Sequence, residues 1–115
     1  MLPSQSDMIE KRKHPRISVK LPATYHSLQT SIDTYISNLS QEGLFILSPS
    51  LDKVGTKAKI QLSLPNEPSP ILLEAKVAWT QKHSNQSGMG LILLNLTRDQ
   101  RLVLANFLIA RLYIS

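Results

Sequence analysis

At 115 residues, 42% hydrophobic and 18% charged, the chain has the size and composition of one soluble domain with a real but small core. It contains no cysteine, which removes disulfides, thiolate metal sites and cysteine nucleophiles together, and no apolar run approaches the roughly 20 residues that a membrane-spanning helix needs. Lys11, Arg12, Lys13 and Arg16 supply four of its positive charges, so a net charge of +5 falls to +1 (5 − 4) without them and the basicity is a local feature.

Residues 1–9 are polar and aperiodic and read as a flexible lead-in. The opening MLPSQSDMIE has neither a basic n-region nor an apolar core, so it is not a secretion signal and a cytoplasmic location is expected. From Ile17 the pattern changes to a period of two. Ile17, Val19 and Leu21 alternate with Ser18, Lys20 and Pro22, and Ile32, Thr34 and Ile36 repeat the signal of half-buried strands. It returns at Ile60, Leu62 and Leu64, and again where Leu73, Ala75, Val77 and Trp79 oppose Glu74, Lys76 and Ala78. GLFILS at 43–48 and GMGLILLNL at 88–96 are apolar on both faces, which predicts strands covered on both sides.

The tail supplies a candidate cover. Leu104, Phe107, Leu108 and Leu112 recur at helical spacing, Thr97 and Gln100 form a capping box, and Arg111 suits a helix C-terminus. Loop signals fall at Asp52–Thr56, Pro65–Pro70 and His83–Gly88. Six short, closely spaced strands followed by one helix, at about 98–112, predict a mainly β chain. The strands close into a small antiparallel barrel, with the helix outside it or over one end.

Chemistry is sparse along this frame. Ser40 with Glu42, or His26 with Asp33, makes an acid–base pair on paper, yet no nucleophile elbow or cluster of convergent carboxylates accompanies them. His14, His26 and His83 are too scattered for metal-ligand spacing, so neither an enzyme nor a metal or cofactor site is expected. The barrel also lacks a basic stripe interleaved with aromatics, which argues against polymeric nucleic acid as a partner.

Two motifs remain. Arg12 and Arg16 form R-x-x-x-R, and the guanidinium fork suits phosphate oxygens and the O6/N7 edge of guanine. Pro15 restricts the chain between them and limits the entropy lost on ordering. NLSQEG at 38–43 offers the amide of Asn38, the hydroxyl of Ser40, and at Gly43 a backbone that can turn sharply or be closely approached. Each alone is equally compatible with a solvated basic run or an ordinary turn.

Together, in this order and in this strand context, they resemble the PilZ domain, the bacterial receptor module for the second messenger cyclic di-GMP (c-di-GMP). The resemblance runs from about Glu10 to Leu112 and includes the Trp-bearing strand AKVAWT and the closing GMGLILLNL. It implies a six-stranded split barrel with a C-terminal helix, occupying residues 10–115, with an arginine arm at 10–16 that wraps over the ligand. It further implies that Arg12 and Arg16 engage phosphates and guanines while Asn38, Ser40 and Gly43 hold a guanine from the barrel side. Lys11 stands where many members carry a further arginine. As an auxiliary contact it keeps the charge without the fork, leaving open one ligand or a stacked pair. The function implied is a receptor and adaptor that changes conformation on binding and signals to a protein partner controlling motility, pili, exopolysaccharide or biofilm. The alternative is a PilZ-fold interaction module that does not bind the nucleotide. No membrane insertion is expected.

Overall fold

Six strands and one helix follow one another along the chain: β1 (Ile17–His26), β2 (Ser31–Leu39), β3 (Gly43–Leu47), β4 (Lys57–Leu62), β5 (Ile71–Gln81), β6 (Gly88–Leu94) and α1 (Arg98–Ile114). The computed structural model describes residues 16–83 and 86–114, with side chains as far as residue 111. The strands form a closed barrel in the order β1-β2-β3-β6-β5-β4, every neighbouring pair antiparallel. Closure rests on a short seam, Ala23–His26 of β1 against Leu62–Lys59 of β4. The first half of β1 pairs with β2 alone.

Period-two patterning does what it should. Leu21, Ala23 and Tyr25 of β1, Ile60 and Leu62 of β4, and Leu73, Ala75 and Val77 of β5 all point inward and share one core with Ile36, Leu39, Leu44, Ile46, Met89 and Leu91. Leu104 and Leu108 of α1 join the same core. The helix begins with the capping box: Thr97 N donates to Gln100 Oε1 at 3.0 Å, and Gln100 N donates to Thr97 Oγ1 at 3.1 Å. Gln100 Nε2 also donates to the Leu72 carbonyl at 2.6 Å, tying the first turn to the start of β5. Among the described residues, no helix is long and apolar enough to cross a membrane.

Two expectations need correction. Trp79 does not continue the inward row of Leu73, Ala75 and Val77. The register slips between Val77 and Trp79, and one extra residue moves the following side chains to the opposite face. Nor does α1 cover the outer faces of β3 and β6. It packs by the start of β1, where Phe107, Ala110 and Arg111 share a cleft with Ile17, Ser18, Pro65 and Asn66. Those outer faces are partly bare, with Leu47 and Ile92 exposed. What cover β6 has there comes from two aromatic rings.

Candidate functional site

The β1–β2 register brings the two sequence motifs to one edge of the barrel. Ile17 pairs with Leu39 and Ser18 with Asn38, so Arg16, which is exposed, enters one residue before the Leu39 pair, beside the turn that holds Ser40. Arg12 and Lys11, like His14, lie outside the described residues. Of the arginine motif, the structure therefore places Arg16 alone.

Asn38 begins a row that crosses four strands on the barrel exterior. It pairs with Phe45 on β3, Phe45 with Gly90 on β6, and Gly90 with Trp79 on β5. Phe45 and Trp79 stack at 5.1 Å between ring centroids and 24° between planes. Gly90 makes this possible, because a Cβ there would collide with the Trp79 indole; one on Gly88 would strike the Phe45 ring. Phe45 is nearly covered, whereas Trp79 remains 40% exposed and presents a flat, polarizable face of the kind on which nucleobases stack. At the head of the row, Asn38 Oδ1 is buried and has no hydrogen-bond partner among the described residues. A buried acceptor left open is costly unless a donor arrives, and guanine edges and guanidinium groups are such donors.

Ser40 and Gly43 behave differently. Ser40 is buried, and its Oγ accepts from Glu42 N at 3.1 Å and Gly43 N at 3.2 Å while donating to Gly43 O at 3.3 Å. The hydroxyl is thus fully engaged in closing the β2–β3 turn, together with Ser40 N donating to Gly43 O at 2.9 Å. Gly43 is outside the left-handed region. Its need for glycine is close packing, since a Cβ would collide with the backbone carbonyl oxygen of Leu91 on β6. Both residues hold the turn and β3 in place, while the register shift between Ile36 and Asn38 turns Asn38 to the outer face beside Phe45.

The paper pairs for catalysis do not assemble. His26 Nδ1 lies 2.8 Å from Ser31 Oγ, while Asp33 pairs across with Thr24. Ser40 is occupied by its turn. Among the described residues, no group of three or more His, Cys, Asp or Glu side chains is placed to hold a metal.

Trp79 is the candidate residue that sequence periodicity hides. Read as period two it belongs to the core, and only the bulge turns it outward. The signal that could have found it is the GMG at 88–90, where two alternate glycines on one strand leave room for rings above them.

The PilZ domain family matches residues 10–110. The chain belongs to the PilZ domain family. No curated protein matches it in sequence. Among solved structures, the Bacillus subtilis inhibitor of motility MotI/DgrA superposes with a TM-score of 0.79 at 19% identity, covering 91% of this chain. Only 53% of that protein is matched, so the PilZ chain spans about half its length. The PilZ domain of YcgR from Escherichia coli, solved with c-di-GMP, gives 0.68 at 13% identity over 83% of this chain and 86% of its own. Borreliella burgdorferi PlzA in complex with c-di-GMP gives 0.64 at 14% identity, over 92% of this chain and 44% of its own. At these identities the shared feature is the barrel with its C-terminal helix.

Proposed function

We propose that this PilZ domain is a non-enzymatic receptor for c-di-GMP. Residues 1–9 are a lead-in, and residues 10–16 are an arm carrying Lys11, Arg12 and Arg16. The arm closes on a ligand seated against the outer row of the barrel. The observation that carries this reading is that row. An open amide acceptor at Asn38 stands beside a stacked aromatic pair, next to the point where an arginine-bearing segment joins β1. The ligand brings what these groups lack: two phosphates for guanidinium forks, guanine N–H donors for Asn38, and purine faces for Trp79. Ser40 and Gly43 act by holding the β2–β3 turn. No cofactor takes part.

Closing a charged arm over a bound nucleotide changes the surface offered to a protein partner, which makes a binding event into a signal. Family membership supports this reading, as do the c-di-GMP complexes of YcgR and PlzA. The resemblance to an inhibitor of motility favours motility among the outputs, ahead of pili, exopolysaccharide or biofilm. The setting is the bacterial cytoplasm.

The single tryptophan of the chain provides the test. Titration with c-di-GMP should change Trp79 emission saturably, while GTP and cyclic di-AMP at the same concentrations should not. Unchanged emission, with Asn38→Ala indistinguishable from wild type in direct ligand binding, would remove the row from the site and favour the nucleotide-independent interaction module.

A further inference from the structure

Two turns at the end of the barrel remote from Asn38 offer aliphatic side chains to solvent. In the β1–β2 turn Ser27 N donates to Thr30 O at 2.8 Å, and Leu28 at its tip is 104% exposed. In the β3–β4 loop Thr56 N donates to Lys53 O at 3.0 Å. Gly55, at φ 98°, takes the position of a four-residue turn that favours glycine, which leaves Val54 at the tip, 63% exposed.

One exposed aliphatic side chain is ordinary. Here two are held in fixed relation by a buried carboxylate. Asp52 of the β3–β4 loop accepts from Ser27 Oγ at 2.6 Å and Thr30 Oγ1 at 2.8 Å in the first turn, and from the Tyr25 hydroxyl at 2.5 Å. The second turn is anchored in addition by Gly55 N donating to Val77 O at 2.7 Å.

Cations surround the tips. Lys53 adjoins Val54, and Lys57 and Lys59 line a shallow cleft of about 310 Å³ that Leu28 also borders. Lys57 lies directly across from Lys76, and like charges at paired positions repel unless an anion comes between them. Glu74, the one carboxylate lining that cleft, lies directly across from Lys59 and offsets that one charge, and the buried Asp52 already has its three donors. Separate, protruding aliphatic points ringed by lysines suit a deformable anionic surface better than a packed protein interface, which needs a continuous apolar centre. Lysine also fits headgroups as a flexible point charge.

We infer that this end of the barrel docks on an anionic lipid surface. Leu28 and Val54 enter the headgroup layer, and Lys53, Lys57, Lys59 and Lys76 bind lipid phosphates. The contact is adsorption rather than insertion of a spanning segment. The β1–β2 hairpin, running from the Ile17–Leu39 pair to the His26–Ser31 pair, sets Asn38 about 30 Å from the first turn at ordinary strand rise, whereas the Trp79 end of the row lies two residues beyond Val77, whose carbonyl accepts from Gly55 N of the second turn. The inference rests on the turns and their lysines alone and stands independently of which ligand the Asn38 row takes.

The test is co-sedimentation of the full chain with vesicles of equal parts phosphatidylglycerol and phosphatidylcholine, beside vesicles of phosphatidylcholine alone. Binding is expected only with phosphatidylglycerol. In the Leu28→Ser, Val54→Ser double variant, which keeps every charge including those of the arm, the partition coefficient should fall about tenfold. In the Lys57→Glu, Lys59→Glu variant it should fall by about fivefold or more per lysine. Thermal melts should leave the serine variant unchanged, since both side chains are exposed. Absence of binding to phosphatidylglycerol would overturn the inference. So would undiminished binding by the serine variant, which would leave charge alone as the cause. Retention on polyglutamate without vesicle binding would overturn it in favour of an acidic protein partner.

Discussion

Arg16, Asn38 and Trp79 lie far apart in the chain, and strand register sets Asn38 and Trp79 on one outer row with Arg16 beside its head, so each can be tested by its own side chain. Replacing Arg16 with alanine should weaken c-di-GMP binding by about 2 kcal/mol, the scale for losing a charge-assisted partner. Lys20, whose Nζ lies 5.1 Å from the Tyr35 ring centroid, is the control: Lys20→Ala should bind as wild type, and an equal loss there would indicate diffuse charge attraction. Trp79→Ala should cost about 1–3 kcal/mol of binding if a guanine stacks on it. Gly43→Ala should instead destabilise the fold, by about 2 kcal/mol, because its Cβ meets the Leu91 carbonyl; an unchanged denaturation midpoint would contradict the packing account. At this scale the sequence is an uneven guide. It marks Asn38, Ser40 and Gly43 as belonging together but not their division of labour, because a hydroxyl closing a turn and one facing a ligand are the same letter. The reason for glycine at 43 is a strand from the far end of the chain, which no local pattern carries.

At the scale of elements, the alternation of Ile60, Leu62, Leu73, Ala75 and Val77 specifies strands and their inner face, because burial of one face imposes period two. The helix is legible from its capping box, whose two reciprocal bonds form as spaced. Thr97→Ala should cost about 1 kcal/mol of stability, read from chemical denaturation. What periodicity misses is the bulge before Trp79 and the seat of α1 by β1, since a bulge breaks the period and docking depends on tertiary geometry. Nor does sequence show that the turns at the far end share one carboxylate. Burial alone pushes the Asp52 carboxyl up, but hydrogen bonds from Ser27, Tyr25 and Thr30 outweigh it and hold the group below the ordinary carboxylate range. Burial, with the bond to Asp52 and its charge, pushes the Tyr25 phenol up. Asp52 then contributes stability that is complete above the carboxylate's unfolded value and is lost as pH falls below about 4 through its lower folded value. Asp52→Asn should flatten that acid limb and lower stability at neutral pH by about 2 kcal/mol. A variant with the wild-type acid profile would show that Asp52 is not the group responsible.

For the whole molecule, the β1–β2 hairpin spans the barrel between the two surfaces proposed above. One end carries Arg16 and Asn38, the head of the outer row; the other carries the lysine-flanked turns, beside which the row ends at Trp79. Strand pairing fixes Asn38, Phe45 and Trp79 before any ligand arrives, so binding at the proposed site would place little ordering cost on the barrel. The central claim is that this PilZ domain binds c-di-GMP at that row. Isothermal titration calorimetry with c-di-GMP, run beside GTP and cyclic di-AMP, tests it most directly. The account predicts saturable, guanine-selective binding that is weakened in Arg16→Ala and Asn38→Ala, with a stoichiometry that decides between one ligand and a stacked pair. A folded sample that gives no heat of binding with c-di-GMP, or the same heat with all three nucleotides, would contradict it.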